Sequence, residues 1–284
     1  MQILNNKTDA QQQLRALKQQ GKRIAFVPTM GNLHEGHLTL VHQAKQQADI
    51  VVVSIYVNPL QFGPNEDYSA YPRTLEKDSQ QLTNEGVDFL FLPTNETIYP
   101  RGKEHHTTVK VIDSLTNKLC GASRPGHFTG VTTVVNILFN IIQPNVAIFG
   151  KKDFQQLMVI RRMTEDLSLP IEIVGGDIMR EKNGLAMSSR NGYLSSTEKD
   201  KAAHLRAIII ATQKQIEAGD TNFSGLIRHA KQQLENDGFK VDYFSIVRTD
   251  DLEPAIKNDK QLLIAAAAWL GKPRLIDNQE VFLK

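Results

Sequence analysis

The sequence predicts an α/β protein in which a doubly wound parallel sheet is followed by a smaller α+β domain. Three observations predict it. Continuously apolar, β-branched runs recur at residues 24–27, 50–57, 89–92, 146–149 and 171–174, as expected of strands covered on both faces. Stretches with helical apolar spacing lie between them, at 38–47, 74–84, 130–142 and 154–167, and such alternation builds a parallel sheet through right-handed crossovers. The pattern then breaks after Gly175-Gly176, where two helices are followed by three strands.

The elements follow in order. Arg23-Ile24-Ala25-Phe26-Val27 reads as the first strand, and Pro28-Thr29-Met30-Gly31-Asn32-Leu33-His34-Glu35-Gly36-His37 carries it into the helix at 38–47. The second strand leads into a polar loop at 56–73 that contains three prolines. A helix at 74–84 and a strand at 89–92 precede an excursion at 94–124, which holds glycine, histidine and an expected short strand near 107–111. Loops of this length in a compact domain are usually functional. The sheet is completed by the helix at 130–142, the strand at 146–149, the helix at 154–167 and the strand at 171–174. Past a boundary near 176–185, Ser195-Ser196-Thr197-Glu198 has the spacing of a capping box and opens a helix expected to run to residue 218. A helix at 223–236 and strands at 241–247, 262–270 and 274–275 follow. The domains expected are therefore 1–176 and 177–284.

Composition narrows the function classes. The chain has 284 residues, of which 40% are hydrophobic and 23% charged, enough for an ordinary core. A net charge of +2 without a Lys/Arg block argues against a nucleic-acid partner. The single cysteine, Cys120, excludes an intrachain disulfide, fits a reducing cytoplasm and reads as a small buried residue. Residues 262–270 form the longest apolar run, too short to span a membrane, and Met1-Gln2-Ile3-Leu4 opens no signal-type segment.

Chemistry gathers in four segments. His34 and His37 sit where a strand turns into a helix, the place where an open parallel sheet binds nucleotide phosphates. Two imidazoles there can donate to charge that grows on phosphate in a transition state. Their spacing differs from H-E-x-x-H, and no thiol lies nearby in the chain, which argues against zinc. Phe149-Gly150-Lys151-Lys152-Asp153-Phe154-Gln155-Gln156 is a second strand-to-helix turn, with lysines that reach polyphosphate and an aspartate that caps a helix or touches ribose. Met187-Ser188-Ser189-Arg190-Asn191, behind Glu181-Lys182-Asn183-Gly184, has the makings of a mobile phosphate clamp. In the loop after the second strand, the amides of Asn58 and Gln61 suit a small hydroxylated acid.

Together with Arg-Pro-Gly-His-Phe-Thr-Gly-Val at 124–131, these phrases make the chain resemble the pantoate–β-alanine ligase family of the H-x-G-H nucleotidyltransferase superfamily over essentially its whole length. The resemblance implies a Rossmann-like doubly wound sheet with a smaller C-terminal α+β lid domain. It implies that pantoate carboxylate attacks the α-phosphorus of ATP to give pantoyl adenylate, and that β-alanine then displaces AMP. Mg²⁺ accompanies the ATP. Residue by residue, it puts Met30, Gly31, Asn32, Leu33, His34, Glu35, Gly36 and His37 against ATP, with His37 as proton donor. Gly150, Lys151, Lys152 and Asp153 would line the ribose and phosphates, with Lys152 on phosphate. Met179 would meet the adenine, and Met187, Ser188, Ser189 and Arg190 would close over the phosphates. Gln61 and Gln156 would hold pantoate, with Gln61 also bordering β-alanine. A cytoplasmic homodimer is implied, with no nucleic acid and no membrane. The tRNA-charging members of the superfamily carry a Lys-Met-Ser-Lys-Ser loop; here Lys182 lies outside the corresponding segment, so Ser188, Ser189 and Arg190 must supply the clamp. Two alternatives remain from the residues: an adenylyltransferase of the same fold making a dinucleotide-type product, and a non-enzymatic nucleotide-sensing or RNA-binding module. Parts for Asp78 and Arg124 do not follow from the sequence.

Overall fold

Strand β2 (Ile24–Thr29) is apolar along almost its whole length because neighbours cover both its faces. It occupies the middle of a parallel sheet in a computed structural model that describes residues 1–64 and 66–283. Asn65, in the proline-containing loop, and Lys284 lie outside the described residues. In chain order the elements are β1 (Gln2–Leu4), α1 (Lys7–Gln19), β2, α2 (Glu35–Gln47), β3 (Ile50–Ile55), α3 (Leu75–Asn84), β4 (Phe89–Phe91), α4 (Asn95–Ile98), α5 (Asp113–Thr116), α6 (Leu119–Ser123), α7 (His127–Ile142), β5 (Val146–Gly150), α8 (Phe154–Asp166), β6 (Glu172–Gly176), α9 (Ser196–Glu217), α10 (Phe223–Asn236), β7 (Lys240–Arg248), β8 (Gln261–Trp269) and β9 (Arg274–Phe282).

The parallel sheet has the order β1-β4-β3-β2-β5-β6. The chain steps outward from β2 to β3 to β4 and then returns to lay β5 on the other side of β2. That reversal makes a switch point between β2 and β5, and at a switch point the loops leaving the strand ends part to form a crevice. Both strand-to-helix turns singled out above leave these two strands. Helix α2 lies over β2, β3, β5 and β6 and buries Leu38, Leu40, Val41 and Ala44. Phe139 of α7 meets Phe26 and Phe149 edge-on, with ring centroids 6.4 and 6.3 Å apart. Such aromatic pairs each add about 0.5–1.5 kcal/mol beyond the area they bury.

The antiparallel sheet has the order β7-β8-β9 and is covered by α9 and α10. Leu205, Ile209, Leu234, Phe244, Leu262 and Ile264 belong to its core. Helix α9 starts with the expected box, in which Ser195 Oγ accepts from the Glu198 amide at 3.3 Å and Glu198 accepts from the Ser195 amide at 2.8 Å. The chain divides into two compact units, one of residues 1–112, 124–151 and 156–177, the other of residues 113–123, 152–155 and 178–284. Among the described residues no helix is long and apolar enough to cross a membrane.

Three expectations are corrected. The run at 24–27 is not the first strand, because β1 precedes it at the edge beside β4; three residues are too few to show a period, and α1 buries only Ala10 and Leu14. No strand forms near 107–111. The Val109 amide donates to Thr133 Oγ1 at 3.0 Å and its carbonyl accepts from Thr132 Oγ1 at 2.5 Å, so α7 hydroxyls satisfy the backbone in place of a ladder. Strand β9 runs to Phe282 rather than ending near 275, although Asp277, Asn278, Gln279 and Glu280 interrupt its apolar pattern.

Candidate active site

The turn between β2 and α2 is built from backbone that few residues accept. Gly31 has φ +82° and Asn32 φ +49°, two successive left-handed residues. A methyl on Gly31 would lie 3.0 Å from Ile55 Cγ2 and 3.1 Å from Asp78 Oδ2, so glycine suits both the angle and the space. The turn delivers His34 as the N-cap of α2.

The two histidines cap the helix reciprocally. His34 Nδ1 accepts from the Gly36 amide at 3.2 Å, and His37 Nδ1 accepts from the His34 amide at 3.3 Å. Imidazoles thus do the work that Ser and Glu do in an ordinary capping box, which explains the three-residue spacing of the motif. A nitrogen that accepts bears no proton, so each neutral ring carries its proton on Nε2, as a donor. The rings stack loosely, with centroids 4.1 Å apart and planes tilted by 42°. The site therefore presents imidazole donors at a helix N-terminus, an arrangement that attracts anions.

Gln61 lies beside this turn. Its Nε2 contacts Met30 Sδ at 3.1 Å and its Oε1 accepts from Asn58 Nδ2 at 3.2 Å. A thioether is a weak acceptor, so the Gln61 amide can exchange it for a carboxylate or hydroxyl oxygen. Asn58 is not a second binding amide, contrary to the sequence reading. It is 1% exposed; its Nδ2 also donates to the Gly130 carbonyl, and its Oδ1 accepts from Tyr99 Oη and the Leu60 amide. Burial pushes the Tyr99 hydroxyl well above the usual phenol range, which keeps it a donor.

Sequence reasoning missed the clamp behind Gln61. Arg124 holds Glu66 through two bonds of 2.6 Å and donates from Nη2 to the Gln61 carbonyl at 3.1 Å. His127 Nδ1 lies 2.8 Å from the same carbonyl, and its Nε2 lies 3.0 Å from Arg124 Nη1. Because the carbonyl can only accept and the guanidinium only donate, His127 is the neutral Nδ1–H tautomer. Burial alone would raise the Glu66 carboxyl, but the Arg124 hydrogen bonds and charge outweigh it and hold Glu66 below the usual carboxylate range. The signal available in the sequence was Arg124-Pro125-Gly126-His127, whose partners lie about sixty residues earlier in the chain.

Gly150 ends β5 beside β2, and Lys151 meets Asp177 at 3.2 Å. Of the glutamine pair in α8, Gln155 is spent on structure: it donates to the Leu115 and Lys118 carbonyls and accepts from the Cys120 amide. The half-buried Gln156 side chain makes no hydrogen bond among the described residues. The first unit thus gathers Met30 to His37, Gln61, Gly150, Lys151 and Gln156.

The second unit contains Lys152, Asp153, Met179 and Met187 to Arg190. Lys152 Nζ is 3.6 Å from Asp153, and its carbonyl accepts from Asn278 Nδ2 at 2.9 Å. The glycine-containing segment is a tied hairpin rather than a free loop. Arg180 bridges to Ala186, and the Met187 amide donates to the Met179 carbonyl at 2.9 Å. Arg180 grips the buried Asp277 at 2.7 and 2.9 Å, and Asn191 donates to Glu181 and to the Ala186 carbonyl. Ser188 Oγ then caps the 3-10 turn Ser189–Tyr193 by accepting from the Arg190 amide. Cys120 is half-buried in a polar cluster rather than in an apolar core, with its Sγ 3.1 Å from Tyr243 Oη and 3.6 Å from both terminal nitrogens of Arg274.

The pantoate-beta-alanine ligase family model matches residues 2–280. A pantothenate synthetase of Shewanella loihica is 57% identical over 266 residues, 94% of each chain. The crystal structure of pantothenate synthetase from Thermus thermophilus superposes with a TM-score of 0.92 at 43% identity, covering 99% of this chain and 100% of that one. The pantoate-beta-alanine ligase of Francisella tularensis, solved in complex with beta-gamma ATP and beta-alanine, gives 0.82 at 35% identity over 98% and 97%.

Proposed function

The chain belongs to the pantoate-beta-alanine ligase family, and from that premise we propose that it joins pantoate to β-alanine in two steps driven by ATP. The pantoate carboxylate attacks the α-phosphorus of ATP, the bond to pyrophosphate breaks, and pantoyl adenylate forms. The β-alanine amine then attacks the acyl carbon, sheds a proton and expels AMP with the electron pair of the acyl–oxygen bond. The observation that carries this reading is the reciprocal cap of His34 and His37, which fixes both Nε2–H groups as donors at the β2 switch-point turn.

Carboxylate attack needs little acid–base help, since pantoate is ionised at pH 7. The barrier lies in charge that builds on the phosphates, so His34, His37, Lys152, Ser188, Ser189 and Arg190 act as donors to phosphate oxygens. Gly31, Asn32, Leu33, Glu35, Gly36, Gly150, Lys151, Asp153 and Met179 bind the nucleotide. Gln61 and Gln156 hold pantoate; the unspent Gln156 amide and the weakly engaged Gln61 amide support this. The ligands of the Francisella relative support ATP and β-alanine as co-substrates. The family resemblance supports Mg²⁺ as the companion of the ATP phosphates. The Met187 to Arg190 segment of the C-terminal lid domain shields the adenylate from water. The single cysteine supports a cytoplasmic enzyme, and the family resemblance supports a homodimer, which sedimentation reads directly.

The test is incubation with ATP, pantoate and β-alanine. Pantothenate and AMP should appear in equal amounts and only when all three are present. Adenylate transfer to a mononucleotide in place of pantothenate would select the adenylyltransferase reading.

A further inference from the structure

We propose that Asp78 is a positioning residue for the adenylation step, its buried carboxylate shaping the turn that presents His34 and His37 and seats Gln61. The inference rests on the reading above, in which the imidazoles face ATP and Gln61 faces pantoate.

Asp78 lies on α3 and is 1% exposed. Its Oδ2 accepts from the Asn32 amide at 2.8 Å, and its Oδ1 accepts from the Leu33 amide at 2.9 Å and from Thr74 Oγ1 at 3.1 Å. Thr74 is the N-cap of α3 but makes no capping bond with its side chain, so its hydroxyl serves the turn instead of the helix. Asp78 forms no salt bridge among the described residues; amides and a hydroxyl hold its charge. Successive amides that converge on an anion form a nest, and here the anion belongs to the protein. The carboxylate thereby supports the left-handed Gly31 and Asn32, a conformation that is costly for a non-glycine residue.

That turn has two outputs. On one side Leu33 is buried, and the next residue, His34, begins the reciprocal cap. On the other side Met30 receives the Gln61 amide on its sulfur. Moving the turn moves the phosphate donors and the pantoate amide together. An asparagine at position 78 has the shape of aspartate but points an NH2 at one of two N–H donors, so it opens the turn without emptying the space.

The test is Asp78→Asn in the full chain, read by steady-state kinetics and by ¹⁵N-correlated imidazole spectra. We expect kcat for pantoate-dependent pyrophosphate release to fall roughly 10- to 100-fold, the cost of about 1 Å of misplacement. The spectra should lose the accepting Nδ1 and protonated Nε2 pattern of His34 and His37. Thr74→Val keeps the charge and removes one donor; it should lower kcat less and shift the same imidazole signals. It also serves as the test if Asp78→Asn does not fold. Imidazole spectra of whichever variant folds that match the parent, whether kcat falls or not, would overturn the inference. A parent enzyme without pantoate-dependent pyrophosphate release would defeat the functional reading alone, since the spectra still report whether Asp78 sets the two rings.

Discussion

Gly130 lies so close to Leu60 that a methyl on it would sit 2.3 Å from the Leu60 carbonyl oxygen and 2.8 Å from the Gln61 nitrogen. The first turn of α7 is thus pressed against the backbone of the 3-10 turn Pro59–Gln61, and Asn58 ties the two through the Gly130 carbonyl. Neither neighbour is a flexible side-chain end. Gly130→Ala should therefore displace the turn that carries Gln61. We expect a loss of about 1–3 kcal/mol, typical of overpacking, together with a several-fold rise in the KM for pantoate. Thermal melting and steady-state kinetics check both; an alanine variant that keeps the parent's melting and KM would show that the contact relaxes freely.

Removing an imidazole should hurt chemistry more than folding. His34→Ala and His37→Ala each delete one phosphate donor, which typically slows the chemical step roughly 10²–10³-fold. Each also deletes half of the reciprocal cap of α2, costing about 1 kcal/mol. Single-turnover formation of pantoyl adenylate, with melting curves alongside, separates the two effects. Rates within a few-fold of the parent in both variants would take the pair out of the mechanism.

The adjacent glutamines of α8 should split cleanly. Gln155→Ala removes an amide with three backbone partners and should cost about 1–3 kcal/mol of stability. Gln156→Ala should leave stability nearly unchanged and weaken pantoate binding, measured by titration calorimetry, by a similar amount. Gln61→Ala should also raise the KM for pantoate more than that for ATP. Unchanged pantoate affinity in both Gln61→Ala and Gln156→Ala would mean that the acid binds elsewhere.

Glu66 should give the Gln61 clamp an acid-side dependence. Its folded pKa lies below the ordinary 4.5, so its stabilisation is full above that value and is lost as the pH falls from 4.5 through the folded pKa. Glu66→Gln should therefore be less stable than the parent at pH 7, with a gap that narrows below pH 4.5. Denaturant unfolding at several pH values reads this directly. A gap that does not change with pH would show that the charge on Glu66 contributes nothing.

Hydrogen exchange across 181–191 should be uneven in the ligand-free enzyme. The amides of Glu181, Gly184, Met187 and Asn191 donate within the hairpin, so they should exchange slowly before any ligand arrives. An ATP analogue with pantoate should add protection mainly at Ser188, Ser189 and Arg190. Arg190→Ala should slow adenylation and raise AMP release relative to pantothenate formed. Equal exchange with and without ligands, with no added AMP leakage, would remove this segment as a lid.

The sequence by itself determined the parallel sheet, apart from its edge strand β1, and its position-specific turns. Long apolar β-branched runs have few alternatives to a strand covered on both faces, and His34, Gly36 and His37 stand next to one another in the chain. Helix α10 runs over Phe223–Asn236, as its apolar spacing predicts. Elements whose reasons lie far away in the chain were decided only by the tertiary structure. Strand β9 extends through Asp277 and Asn278 because Arg180 and the Lys152 carbonyl supply partners that local propensity does not anticipate. Val109 stays out of a ladder because α7 hydroxyls take up its backbone groups. Asp78 and Arg124 read as ordinary charged residues until folding brings the Asn32 and Leu33 amides to one and Glu66 and the Gln61 carbonyl to the other. Local spacing encodes periodicity and turns, whereas the value of a buried polar group depends on partners that only the folded chain brings within about 3 Å.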